Sequence, residues 1–404
     1  MQVVRKKSTS GRRGKKAGLL ASFTIFAFFA SGSNLFEGSS LSNCVSTSAQ
    51  QPEWRAQSSG SLAKLSSVIF VDRDRGWVAG ANGTLLTTED GGAKWSRQTL
   101  PERYRSEALN DVWFFNSDRG LLLGEYGLVN RIGKADRSER VFLLRSNNHG
   151  ANWDAGALAR LSIKQAGQSG QPGQSERQAS RNQNESSDTL KPSLRLSDPI
   201  LLRMAFANDQ VGWTVGESGT IQYTEDGGAT WMMQEASTRK LLYDVAAIDA
   251  KQAWAVGAGG KLLRTVDGGT TWNEKSSEVA EALRSVHFLD AKHGWAVGAR
   301  GTIISTNNGG ARWQRQTSGV ELNLNDVFFV NAKEGSGEVS SEGWIAGDRG
   351  LLLRTTDGGA TWESVELSTH ANLSRLFFIT PDCGWVVGTS GAIFKYGQIR
   401  RSEN

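Results

Sequence analysis

Six carboxylate or amide side chains recur at one spacing along the chain. Asp90, Asn148, Asp226, Asp267, Asn308 and Asp357 each stand five residues before a tryptophan, from Trp95 to Trp362. A carboxylate beside glycines can hold a cation or move a proton, so metal binding and acid–base catalysis are the first chemistries to weigh. The pattern argues against both. Positions carried by successive copies of one unit are spread around a structure and cannot converge on one ion or one substrate. Two of the six are Asn, which accepts hydrogen bonds as Asp does but carries no charge. The expected role is structural: the side-chain oxygen accepts from amides of its own turn, the glycines permit positive φ, and the Trp fills space between strands. No metal site and no cofactor motif is expected.

A second candidate, Gly257-Ala258-Gly259-Gly260-Lys261, has the look of a phosphate loop. Leu262 stands where such a loop needs Ser or Thr, and a Gly-x-x-Gly turn of this kind recurs in every copy of the unit. It reads as a hairpin turn.

The elements that carry these turns are short strands. Trp254 to Trp272 runs as a buried strand (WAVG), a turn, a second strand (KLLRT), a tight turn (VDGGT) and a Trp that opens a third strand. Related stretches begin at Trp77, Leu121, Trp213, Trp295, Trp344 and Trp385, and each is preceded by a further apolar strand such as Leu242–Ile248. The Trp254 to Trp295 and Trp344 to Trp385 intervals are both 41 residues. A four-stranded unit of roughly 40–45 residues is the period of a β-propeller blade, and units joined only by turns must bury their faces on one another. The sequence therefore predicts an all-β, seven-bladed propeller of four-stranded blades over residues 52–397. Blade seven stops after its third strand, while Glu53-Trp54-Arg55-Ala56-Gln57 matches the fourth strands that begin at Lys94 and Arg312. The N-terminal strand is expected to complete the last blade and leave no open sheet edge.

Insertions interrupt the period. Gly133–Arg140 and Glu334–Ser341 are polar, and the stretch at about 162–198 is rich in Gln, Ser, Asn and Gly. The last has too little apolar surface to offset its ordering entropy and is expected to be disordered. Together, the first and last account for the 92 residues between Leu121 and Trp213 without an eighth blade.

Of the net charge of +5, seven basic residues from Arg5 to Lys16 precede the first acid, Glu37. The remainder is near neutral, which gives no bulk reason to bind nucleic acid. These residues lead into the apolar run Ala17–Ala30, short for a membrane span of about 20 residues. Residues 1–32 read as a signal peptide cleaved after Gly32 or as an uncleaved N-terminal anchor, with 33–51 a flexible linker and 398–404 a polar tail. Export is expected under either reading. Leu41-Ser42-Asn43-Cys44 is a poor lipoprotein box, and a bridge between Cys44 and Cys383, the two cysteines of the chain, is sterically conceivable.

The six turns follow the Asp-box pattern, Ser/Thr-x-Asp-x-Gly-x-x-Trp, which also occurs in sialidases, some endoglucanases and sortilin-type receptors. The repeated G-W-x-V/A-G-x-x-G-x-L-L strand pair, the D-V-x-F lead strand and the ending Gly391–Gly397 resemble the photosystem II stability/assembly factor family. That resemblance implies a non-enzymatic propeller of the periplasm or thylakoid lumen whose protein partner is a nascent membrane-protein subunit. A related protein of a non-photosynthetic bacterium would carry the same motifs. The enzymatic alternative is a sialidase-like glycoside hydrolase, which needs an arginine cluster, a Tyr/Glu pair and an Arg-Ile-Pro stretch near its start. Arg131-Ile132-Gly133 is the nearest match to the last, and the chain has five tyrosines.

Loops of a blade alternate between the two faces of the disc. The face that carries the Gly-x-x-Gly turns and the blade-to-blade connections holds Arg103, Arg105, Arg239, Lys240, Arg284, Arg300 and Arg349. These are expected to dock a protein segment through carboxylates or backbone carbonyls, with the protein acting as a monomer.

Overall fold

A computed structural model describes residues 52–127, 140–158, 198–330 and 342–398. The leader, the insertions at 133–139 and 334–341, nearly all of the long one at 162–198, Cys44 and the last residues of the tail lie outside the described residues. Seven four-stranded antiparallel sheets follow one another, each with its strands in sequence order except the last. Their first strands are Leu65–Phe70, Ala108–Phe114, Leu201–Phe206, Leu242–Ala247, Leu283–Phe288, Leu324–Phe329 and Leu373–Thr380. In the seventh sheet the fourth strand is Glu53–Gln57, antiparallel to Ile393–Gly397 with Trp54 opposite Tyr396.

The second strand of each blade is buried almost throughout, as a continuous apolar run in the middle of a covered sheet must be. In every blade but the second, which has Leu121, this strand carries a tryptophan, and where the next blade has a phenylalanine near the end of its first strand the two rings pack together. Ring centroids lie 3.6 Å apart for Trp77 and Phe114 and 3.5 Å apart for Trp295 and Phe329. Trp385 of blade seven stacks on Phe70 of blade one at 3.5 Å, which closes the ring. Each such phenylalanine also lies across a glycine of its own blade: a Cβ on Gly76 would fall 2.4 Å from Phe70. Blade four shows the rule by exception, since Ala247 replaces the phenylalanine and Ala253 then fits opposite it.

The Asp-box turns are built from their own side chains. Thr88 Oγ1 donates to Asp90 Oδ1 at 2.8 Å and accepts from Gly92 N, while Asp90 Oδ1 accepts from Lys94 N at 2.9 Å. Asn148 and Asn308 repeat this through Asn152 N and Arg312 N, both at 3.0 Å. The hydrogen bonds from Thr361 hold the Asp357 carboxyl down at about 2, and the other three carboxylates are lowered too. Each is spent within its turn.

The N-terminal strand is tied to blade one as well as blade seven. Gln57 Nε2 donates to Gly91 O at 3.1 Å, and Gln57 Oε1 accepts from Trp95 Nε1 at 3.2 Å. Gln234 does the same for Gly268 O and Trp272. Trp54 packs edge-on against Trp344 and Phe378. Trp54→Ala should therefore lower unfolding free energy by about 2–3 kcal/mol, read from the urea midpoint. A change in the urea dependence itself would mean that blade seven opens separately.

Candidate protein-docking face and axial channel

The Gly-x-x-Gly turns share a face with the blade connections because each turn is bonded to one. Gly83 N donates to Glu107 O, Gly301 N to Leu322 O, Gly350 N to Ala371 O and Gly391 N to Ala63 O. At the apex of these turns one residue adopts a left-handed conformation: Asn82, Ser218, Gly259, Arg300, Arg349 and Ser390, with φ of 56° and 59° at the two arginines. A side chain with a Cβ costs roughly 1 kcal/mol there, and the turn tolerates Gly, Asn or Ser. Nothing in the turn itself requires arginine.

The seven basic residues expected on this face do not form one patch. Arg103 lies over the rings of Tyr126 and Tyr104, at 5.0 and 5.8 Å, and Arg105 Nε donates to Leu100 O. Arg239, Lys240, Arg300 and Arg349 are exposed and have no ion pair among the described residues. Arg284 stands at the mouth of the axial channel, where Nη1 donates to Asn325 Oδ1 at 2.9 Å. Asn325 in turn donates to Asp348 Oδ1, Asn323 to Asp348 Oδ2, and Arg349 N donates to Asn372 Oδ1. Two acids of the face are engaged: Asp348 by two amides, and Glu217 by Arg140 at 2.8 Å. Lys261 is likewise occupied by Glu274.

Arg284 shares the mouth with two cations absent from the sequence reading. Lys64 and Arg203 line the same basin of about 500 Å³, together with Tyr243 and Asp348. Asp348 is the sole carboxylate among the described lining residues, so the Tyr/Glu pair of a sialidase is not assembled here. Such a pair does occur elsewhere. Tyr223 Oη donates to Glu225 Oε1 at 3.0 Å, but burial and the carboxylate push the phenol up to about 12, away from nucleophilic use.

Inside the mouth runs a ring that sequence reasoning missed. Every first strand has a β-bulge between its opening Leu and the residue two positions on. The bulge re-aims that residue, which is Ser67, Asp111, Arg203, Asp244, Ser285, Asp326 and Arg375 in blades one to seven. Ser67 Oγ donates to Asp111 Oδ1 at 2.6 Å, and Met204 N to Asp111 Oδ2 at 2.8 Å. Ser285 Oγ reaches both Asp244 Oδ2 at 3.0 Å and Asp326 Oδ1 at 2.7 Å. Arg375 Nη1 lies 3.2 Å from Asp326 and 3.6 Å from Asp244. Burial opposes the charge on Arg375, and the two carboxylates outweigh it and hold the guanidinium above its ordinary value. Burial pushes Asp326 up and lowers His287, deeper in the lumen, to about 4. The available signal was a polar residue at the third place of each apolar lead strand.

Comparison with known proteins follows from this architecture. The profile of the family described as photosynthesis system II assembly factor YCF48 matches residues 46–155, 187–273, 230–285 and 276–371. The chain belongs to that family. A photosystem II assembly lipoprotein Ycf48 of Synechococcus sp. (strain CC9902) is 29% identical over 123 residues, 29% of this chain and 32% of the relative, so the alignment spans about a third of that relative's length. A solved structure of YCF48 bound to a D1 peptide has a TM-score of 0.62 at 20% identity, over 87% of this chain and 100% of the other. The YCF48 fold is not confined to assembly factors. A GH74 xyloglucanase from Xanthomonas campestris has a TM-score of 0.58 at 14% identity, over 84% of this chain and 53% of the enzyme.

The axial ring gives a direct test. Arg375→Met removes the guanidinium shared by two buried carboxylates, and should lower stability at pH 7 by about 2–4 kcal/mol. Asp326 already lies above the ordinary carboxylate range and would rise further in the folded variant. The loss should therefore shrink as pH falls through that raised value and Asp326 takes a proton. Urea unfolding at pH 7 and pH 5 reads both effects.

Proposed function

We propose that this chain is an exported, non-catalytic scaffold that holds a segment of a newly made photosystem II membrane-protein subunit, docked on the Gly-x-x-Gly face. The observation that carries the reading is the pair Arg300 and Arg349. Both are exposed, free of ion pairs among the described residues, and placed in a strained conformation that other blades fill with Gly, Asn or Ser. Arg239, Lys240 and Arg284 are further cations of this face, apart from the pair, and Arg103 and Arg105 lie beside the aromatic pair Tyr104 and Tyr126. Guanidinium groups held on rigid turns suit carboxylates and backbone carbonyls of an extended peptide. A relative solved with a D1 peptide supports a partner of this kind.

The protein works as a monomer in this reading, because the ring of blades is complete within one chain. Among the described residues no helix is long and apolar enough to cross a membrane. Attachment to the membrane would fall to residues 1–51, in keeping with the lipoprotein names of its relatives. The enzymatic alternative lacks an observation in its favour beyond the shared fold.

Capture of a peptide from the lumenal end of a photosystem II subunit should be readily measured for the native chain by calorimetry. Arg300→Glu with Arg349→Glu should weaken it on the order of 100-fold. Unchanged affinity in the double variant would remove this face from the mechanism, and turnover of a fluorogenic sialoside by the native chain would restore the hydrolase reading.

A further inference from the structure

Large apolar side chains open to solvent are few on this disc, and most of them gather. Among the described residues they are Leu62, Met232, Met233 and Val266, and the last three belong to neighbouring elements at the rim of blades three and four. Met232–Gln234 is the fourth strand of blade three, with Met232 opposite Tyr223. Strand alternation puts Met232 and Gln234 on one side. On that side Gln234 Nε2 donates to Gly268 O, in the Asp-box turn of blade four, at 2.7 Å. Val266 belongs to the same turn and is 51% exposed, as Met232 is.

The other seams are polar at both places. The residue after the tryptophan of the fourth strand is Arg55, Ser96, Asp154, Asn273, Gln314 or Glu363 in the other blades, each of them exposed. The turn position of Val266 is Glu, Asn or Thr in the other Asp boxes. Polar side chains on an outermost strand guard its open edge against pairing with other chains. Blade three replaces that guard with two adjacent thioethers. The remaining described methionine, Met204, is 2% exposed in the first strand of the same blade. Access to oxidant follows exposure, so the chain holds two open thioethers and one closed one among its described residues.

We infer that Met232 and Met233 form a hydroperoxide-accepting site whose oxidation turns this apolar stretch of rim polar and leaves the fold intact. The thioether sulfur attacks one peroxide oxygen and the O–O bond breaks. That oxygen stays on sulfur as a sulfoxide, and the other leaves with both protons as water. Sulfur loses two electrons and the peroxide gains them. Both side chains stand open to water, so the new oxygen can be solvated without displacing a neighbour. The backbone pairing of Met232 and Met233 with Tyr223 and Gln222 is untouched by a change at sulfur. The product is reversible, because methionine sulfoxide reductases restore the thioether. Oxidation thus gives this seam the polarity that the other seams have by sequence, and reduction removes it.

Peptide mass mapping of the full chain after treatment with dilute hydrogen peroxide tests this. One oxygen atom should enter each of Met232 and Met233 about tenfold or more faster than Met204. The oxidised protein should leave a phenyl column earlier than the native one and keep its urea midpoint. Methionine sulfoxide reductase should return both mass and retention to their starting values. Met232→Gln with Met233→Gln should elute with the oxidised form and lose the fast oxygen uptake. The mapping and retention of the native chain decide the matter even if that variant does not fold. Oxidation of Met204 as fast as of the pair, unchanged column retention, or a urea midpoint that falls on oxidation of the pair would overturn the inference. Arg300→Glu with Arg349→Glu should take up oxygen at the native rate, so failure of the docking reading would leave this one standing.

Discussion

A four-stranded blade has two apolar faces and no layer of its own to cover them. Each face can leave water only by packing on the next blade. The seams between blades therefore carry the apolar burial of the molecule, and a seam left open would expose both an apolar face and a strand edge. This constraint explains the most repetitive features of the chain. The tryptophan of one blade needs a flat partner on the next, the phenylalanine that supplies it needs room across its own sheet, and glycine gives that room. Where the phenylalanine is lost at Ala247, the glycine is no longer needed and alanine appears at 253. The same constraint makes the N-terminal strand part of the last seam, since Trp54 is seated among Trp344, Phe378 and Tyr396 of blades six and seven.

The ring, its period and its turns were legible because they are written in residues with few alternatives. Gly-Trp at a strand start and Thr-x-Asp-x-Gly-x-x-Trp at a turn each admit one local geometry, and their spacing counts the blades. The axial ring was not legible for a related reason. In Leu-Asn-Asp-Val, simple alternation sets Leu324 and Asp326 on one side of the strand, and the bulge between them breaks that parity. Nothing in the residue types announces a bulge. The basic face was half legible. The topology placed the cations on the correct loops, but charge alone does not tell Lys261, held by Glu274, from Arg300, which has no partner among the described residues. Nor did Lys64 and Arg203 stand out, because the first lies in a connection and the second in a strand otherwise apolar.

Shared architecture with a xyloglucanase raises the question of what separates a scaffold from an enzyme on the same frame. Fold alone does not answer it, and the axis is the place to look, because loops and first strands of all seven blades meet there. A carboxylate that serves as general acid or nucleophile must keep an oxygen open to substrate and change its bonding during the reaction. Asp111 and Asp326 accept on both oxygens from neighbouring blades, through Ser67, Met204, Ser285 and Leu376. Protonating or alkylating either would cut bonds that join one blade to the next. Their chemistry is committed to holding the ring together. Asp244 is held as well, with Oδ2 accepting from Val286 N of blade five at 3.0 Å and Oδ1 in an ion pair with Arg375 of blade seven at 3.6 Å. Hydrolysis of a glycoside requires two carboxylates free to act on substrate, whereas these axial carboxylates are bonded into the ring. That leaves the loops of the two faces, whose residues can change without loosening the ring, as the place where proteins on one frame come to differ in what they recognise.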